Sequence, residues 1–252
     1  MELTYPRFIH AEIMTHRDRA RNAASSRAIP FKKMLENVCG NPVIPLAFGL
    51  EQSGMQTGSA LEGPFAELAK EIWLEGLEKM VDVATRLHNI ENSYRVKAGL
   101  PPIDDAARTH KSIPNRLLEP WMHITVIMSA TQWKNWNRLR AHSDAEIHFQ
   151  KLARASMRAL EESTPVNRIN HLPYVTDEEL QTIPLETLCK MSVARCARVS
   201  YLTHDGKSDK DVALFERLCQ GSGFGHWSPH EHVAFADPGV RSGPFIGWRQ
   251  YR

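Results

Sequence analysis

Residues 14–30, Met-Thr-His-Arg-Asp-Arg-Ala-Arg-Asn-Ala-Ala-Ser-Ser-Arg-Ala-Ile-Pro, hold the densest chemistry in the chain. Arg17, Arg19, Arg21 and Arg27 fall among Asn22, Ser25 and Ser26, with almost no apolar residue between them. A stretch that repels itself this strongly does not form to fill a core. Four guanidiniums and three small hydrogen-bonding side chains suit an anion such as phosphate, because arginine presents a planar fork that matches phosphate oxygens. No glycine lies within the stretch, which argues against a phosphate-cradling loop of the P-loop kind. The competing reading is a solvated, basic helix start.

Three other places carry reactive side chains. Arg140 stands near Trp133 and Trp136, where an arginine is equally well a stacked structural cation. Arg116, four residues before Pro120, is by itself a surface arginine at a helix start. His226, His230 and His232 crowd one short box, and a strand there would put His230 and His232 on one face. Zinc asks for three or four ligands at recognised spacings. No partner cysteine or distal pair accompanies the box, so no metal is expected. Cys39, Cys189, Cys196 and Cys219 form no CxxC pair. They read as reduced and structural, in a cytosolic setting.

These side chains need elements to place them. Leu3 to Ile13 sets Tyr5, Phe8 and Ile9 among polar neighbours, a strand or extended entry into the first stretch. Pro30 closes its helix or turn. Asn41 to Ser59 is rich in glycine, proline and polar residues and predicts a loop. From Pro64 to about Leu87, Phe65, Leu68, Ile72, Leu77, Met80 and Val83 recur at helical steps and predict a core-facing helix. Gly99 to Pro102 stops any continuation. Helices are also predicted from Asp144 to Leu160 and from Val212 to Cys219. Residues 163–190, polar and broken by Pro165, Pro173 and Pro184, predict a connector. Phe245, Ile246 and Trp248 predict that the tail, 245–252, packs against the body or a neighbouring subunit.

A chain of 252 residues is long enough for one sizeable domain or two small ones. A net charge of +2 does not indicate wholesale nucleic-acid binding. The basic character is local, which fits a small anionic ligand better. No signal peptide and no run of membrane-spanning length is evident, so a cytoplasmic protein without membrane contact is expected.

The first stretch resembles the flavin-dependent thymidylate synthases. That family's signature runs Arg-His-Arg, two residues, Ser, one residue, Asn, two residues, Ser, one residue, Arg. His16, Arg17, Asn22, Ser25 and Arg27 match it, while Thr15 and Ala20 replace its first arginine and first serine. A second pattern, Asn, three residues, Leu-Arg, four residues, Ala, is matched by Asn135, Leu139, Arg140 and Ala145. A third, Ala-Arg-Val-Ser followed by a Gly-His box, is matched by Arg198, Val199, Ser200, His226, Ser228, Glu231 and His232. The resemblance covers most of the chain apart from Asn37 to Ser59 and the tail.

The resemblance implies an α+β fold in a single domain, 1–252, with a mainly antiparallel sheet flanked by helices. It implies FAD contacts from His16, Arg17, Asn22, Asn135, His226 and Ser228, with Asp144 where a flavin-contacting histidine is common. It implies nucleotide contacts from Ser25, Ser26, Arg27, Arg116 and Arg140, with Glu12 where a glutamine is common. Arg140 would also stabilise negative charge on the pyrimidine ring, and no serine nucleophile is assigned. The implied reaction is reductive C5-methylation of a pyrimidine nucleoside monophosphate, dUMP or UMP. Methylenetetrahydrofolate would supply the carbon and NADPH the electrons, in a homotetramer with shared sites. Two alternatives stay open: a dCMP methylase or pyrimidine hydroxymethylase of the same family, and a non-catalytic nucleotide-binding module.

The order of the boxes is permuted. The family usually places Ala-Arg-Val-Ser and Gly-His first. Here they come last, as in a circular permutant of phage or biosynthetic-pathway type. That order predicts that Glu2 to Phe8 pairs with Glu231 to Phe235, that Met1 lies near Ala236 or Asp237, and that Asp237 to Gly239 turns the tail away.

Overall fold

Alternation sets the first strand. In β1 (Glu2–Pro6) Leu3 and Tyr5 turn inward while Glu2 and Thr4 face solvent. Pro6 ends it, and a 3₁₀ turn, Arg7–Ile9, leads into a single helical turn, α1 (His10–Ile13). The arginine-rich stretch is then neither a helix nor a plain loop, because its middle forms β2 (Ala20–Ala23). Pro30 caps α2 (Phe31–Gly40), and Pro64 opens α3 (Pro64–His88) at the position where its missing N–H costs nothing. Two short helices follow, α4 (Ile90–Lys97) and α5 (Pro114–Leu117), and then β3 (His123–Ser129).

The second half runs through α6 (Lys134–Arg140), α7 (Ile147–Glu161), β4 (Asn170–His171), α8 (Asp177–Thr182), α9 (Leu185–Ala197) and α10 (Ser208–Gln220). A 3₁₀ turn, Ser228–His232, precedes β5 (Ala234–Ala236) and β6 (Trp248–Gln250). The computed structural model describes residues 1–200, 207–220 and 225–252, without the side chain of Ser200. Tyr201 and that side chain, which belong to the Ala-Arg-Val-Ser stretch, lie outside the described residues.

The fold is α+β, with two small antiparallel sheets among helices. In the first, β3 is central: Leu3 of β1 faces Val126, and Asn22 of β2 faces Ile127. Its buried face carries Leu3, Tyr5, Ile124, Val126 and Met128, packed against Trp136 of α6 and Phe149 of α7. The second sheet runs β4–β5–β6, with Phe235 between Asn170 and Arg249. The two sheets meet where His232 Nδ1 lies 2.9 Å from Ser129 Oγ, and where Ala20 packs with Ala234 and Phe245.

Several expectations need correcting. Glu2 to Phe8 does not pair with Glu231 to Phe235: β3 takes β1 on one edge and β2 on the other, and β5 pairs with β4 and β6 instead. The Met1 ammonium donates to Met128 O at 2.8 Å and stands close enough to His171, which pairs with Ala234 of β5, to help lower its pKa. His230 and His232 lie on a 3₁₀ turn, not a strand. The long helix has its predicted limits and faces the core over its second half, but the first part of its apolar stripe is not buried. Phe65, Leu68 and Ile72 are 71%, 52% and 57% exposed, while Leu77 and Ala84 are buried in the core and Trp73, Met80 and Val81 pack against it. Asp144 precedes α7, because the Glu146 carboxylate accepts from the backbone N–H groups of His148 and Phe149 and starts the helix there.

Residues 163–190 hold β4, α8 and the start of α9, and α8 begins on a capping box between Thr176 and Glu179. The tail is an edge strand of the second sheet, and its Phe245 is buried. The chain does turn at Asp237 to Gly239, with Val240 N donating to Asp237 O.

Candidate functional site

Beyond β2, Ala24 N still donates to Thr125 O of β3, and the chain then turns, with Ala28 N donating to Ser25 O. Buried Asn115 of α5 fastens this turn, donating from Nδ2 to Ser26 O at 2.7 Å and to Ile29 O at 2.9 Å. Ser26 is not free for a ligand. Its Oγ donates to Glu119 Oε1 at 2.7 Å, and Glu119 Oε2 lies 3.5 Å from Arg7. The result is a cavity of about 450 Å³, lined by Ser25, Arg27 and Arg116 as well as Arg7, His10 and Glu119. Arg27 and Arg116 are exposed in it. Three guanidiniums against one carboxylate leave the cavity electropositive and suited to phosphate.

Arg140 gathers a second group. Its Nε donates to His16 Nε2 at 2.7 Å, and its guanidinium lies 4.5 Å above the Phe149 ring. Glu12 Oε2 stands 3.8 Å from Arg140 Nη1. Because His16 Nε2 accepts that bond, its ring proton sits on Nδ1. Burial, then Arg140 and Arg19, lower the His16 pKa to about 4, so the ring is neutral. Arg140 does not line the cavity of Arg27 and Arg116 within one chain.

Arg19 lies alongside. Its guanidinium is buried, 4.8 Å from the Trp133 ring and 5.1 Å from that of Trp136. It bonds Asp18 through Nη1, while Nε and Nη2 find no partner among the described residues. Burial is the first cause lowering its pKa.

The third group joins the ends of the chain. Ser228 Oγ donates to Asn22 Oδ1 at 3.2 Å, and Asn22 Nδ2 donates to Cys196 O at 2.7 Å. Arg17, Asn135, Asp144 and His226 are exposed. Asp144 pairs locally, 3.5 Å from His142 Nδ1. His226 is held through its backbone, N donating to Leu218 O. A surface guanidinium suits a pyrophosphate, and amide and hydroxyl groups suit a ring edge.

The other histidines of that box are enclosed. His230 packs against Trp227, Phe215 and Tyr251, and burial lowers its pKa. His232 is pushed down to about 3 by burial. Among the described residues, no group of three or more His, Cys, Asp or Glu is placed to hold a metal ion. Arg198 pairs with buried Asp211 at 3.0 Å and so ties α9 to α10. Arg195 makes the same join from 2.8 Å and also grips Glu179.

Sequence reasoning missed Arg7, His10, Glu119 and Asn115. Arg7 carried a signal, as a cation just before a cationic stretch. The other three carried none, because their roles depend on partners about five to ninety positions away.

No family model matches the chain, and no curated protein matches it.

Proposed function

We propose that the chain binds a pyrimidine nucleoside monophosphate in the cavity of Arg7, Arg27 and Arg116 and methylates its C5 carbon reductively. FAD would be the bound cofactor, 5,10-methylenetetrahydrofolate the carbon donor and NADPH the reductant. The observation that carries this reading is the contact between Asn22 and Ser228, since it brings together two motif boxes from opposite ends of the chain. The permuted order of the boxes is part of the same proposal, although the strand pairing first expected from it does not form.

Each residue has a task in this reading. Arg27 and Arg116 take the substrate phosphate through charged hydrogen bonds. Arg140, aimed by His16, offers its remaining N–H groups to negative charge developing on the pyrimidine ring. His16 stays neutral, with its proton on Nδ1, and so does not repel that cation. Asn22, Ser228, Arg17, Asn135 and His226 hold the flavin, which when bound supplies the hydride that a methyl group requires. Arg140 stands outside the cavity of its own chain, so the reading assigns it to the cavity of a neighbouring subunit, as in a homotetramer with shared sites.

The test is direct. Purified protein should carry flavin absorbance, and should release tritium from C5 of dUMP or UMP when both co-substrates are present. Protein without flavin that releases none from dUMP, UMP or dCMP would overturn the reading. Release from dCMP alone, or a hydroxymethyl product, selects the related activity. Nucleotide binding with no release selects the non-catalytic module.

A further inference from the structure

His10 lines the phosphate-suited cavity, and no motif accounts for it. It opens α1, and its Nδ1 lies 2.8 Å from the Tyr5 hydroxyl oxygen. Tyr5 is only 2% exposed, on the buried face of β1. Burial drives its ionisation far above the ordinary phenol value, so Tyr5 keeps its proton. A buried hydroxyl must place that proton on an acceptor, and among the described residues His10 Nδ1 is the acceptor at hand. The reverse bond, Nδ1–H to the phenol oxygen, would leave the phenol proton buried without a partner. The ring therefore carries its own proton on Nε2.

The charges around His10 keep the ring neutral. Tyr5 faces it from β1, Arg7 from its own turn, and Arg21 from β2. Across the cavity stand Arg27, Arg116 and the single carboxylate of Glu119. Burial, then Arg7 and Arg21, bring its pKa down to about 4.

We propose that His10, fixed by Tyr5 as the Nε2–H tautomer, is an uncharged hydrogen-bond donor to the phosphate of the nucleotide bound between Arg7, Arg27 and Arg116. The inference rests on the site reading above and names one more residue that touches the substrate. The physical case is one of charge economy. A fourth cation in this cavity would repel three guanidiniums, and a histidinium would lose its proton near neutrality. A neutral donor adds a bond to phosphate and keeps it from pH 5 to 8, where a phosphomonoester passes from monoanion to dianion.

Amide side chains separate the two ring nitrogens. Glutamine places its N–H near the position of Nε2, and asparagine near that of Nδ1. Titrations with dUMP, deoxyuridine and inorganic phosphate are compared for the full chain, H10N and H10Q. H10N should weaken dUMP and inorganic phosphate by about tenfold or more, leave deoxyuridine unchanged, and be largely rescued in H10Q. Nitrogen-15 spectra of the unsubstituted protein should show Nδ1 unprotonated and Nε2 protonated, and Tyr5→Phe should mix the two tautomers. Equal phosphate affinity in H10N, or an Nδ1–H ring in the unsubstituted protein, overturns the inference. If C5 tritium release continues while H10N binds dUMP normally, the proposed function stands and the role of His10 falls. If phosphate binding depends on His10 but no nucleotide is turned over, the inference stands and the enzymatic reading falls.

Discussion

Ser228 Oγ donates to Asn22 Oδ1 at 3.2 Å across 206 positions of sequence. Asn22 spends its own N–H on Cys196 O, so one amide connects β2, the end of α9 and the turn at Ser228. Asn22→Ala breaks both links and leaves a carbonyl unsatisfied, at a cost of about 1–3 kcal/mol. Its melting temperature should fall by roughly 2–10 °C, and its flavin content should drop. Ser228→Ala removes only the exposed hydroxyl. It should keep the melting temperature and lose flavin, as read from the ratio of flavin to protein absorbance. Full flavin content in both variants would remove the pair from the cofactor site.

Arg27 and Arg116 are exposed in one cavity, so their loss should register in binding and not in folding. Arg116→Ala should raise the nucleotide KM by about 10- to 100-fold, because a charged hydrogen bond contributes about 1.5–3 kcal/mol. Arg27→Ala should do the same, each with an unchanged melting temperature. Nucleotide titrations check both, and unchanged affinity removes the residue from the site.

Arg140 and His16 are coupled through a 2.7 Å bond. Removing the cation takes away one cause of the depressed imidazole pKa, so Arg140→Ala should move His16 up from about 4 toward its ordinary value. Proton NMR of the His16 ring follows this without any turnover. In the enzymatic reading, kcat should also fall by about 10²–10³.

Acid should destabilise the protein before its carboxylates titrate. His10, His16 and His171 are lowered to about 4 and His232 to about 3, with burial the first cause each time. Between those values and about 6.5 the unfolded chain binds more protons than the folded one, so stability rises with pH through that window. It is fully present above about pH 6.5 and is lost as pH falls toward 4. Thermal scans should be flat from pH 7 to 8 and drop by on the order of 10 °C by pH 5. A flat profile down to pH 5 would contradict the buried, neutral rings.

Arg195 is held by Asp211 and Glu179 with its side chain 2% exposed. Removing it leaves the buried Asp211 carboxylate with Arg198 as its salt-bridge partner among the described residues. Arg195→Ala should cost about 3–5 kcal/mol in denaturant unfolding. Glu179, held well below the usual carboxylate range at about 2 by Arg195, should lose that shift.

What could be read from sequence followed from local causes. The limits of α3 were legible because Pro64 can open a helix and the apolar residues beyond it keep a helical period. Its exposed face was not. Periodicity tells which side of a helix is apolar, and not whether anything lies against it. β2 was illegible for a different reason. Ala-Arg-Asn-Ala has no apolar alternation, and it is a strand because β3 offers it an open edge. In the site, the arginines and Asn22 announced themselves by type and spacing. His10 did not, since its meaning lies in a phenol on β1 and a cavity wall built from α5.

The join between β2 and the turn at Ser228–His232 also orders events in time. Ribosomes deliver residue 22 long before residue 228. At about 5–20 residues per second the interval is roughly 10–40 s. Once Ser129 has followed, about halfway through that interval, β1, β2 and β3 can form their sheet, but Asn22 Oδ1 and Ser129 Oγ face water where Ser228 and His232 will later stand. The nascent chain therefore shows an unfinished sheet end, Ala20 included, until its final thirty residues emerge. A chain interrupted before Gly225 would leave Asn22 and Ser129 without Ser228 and His232.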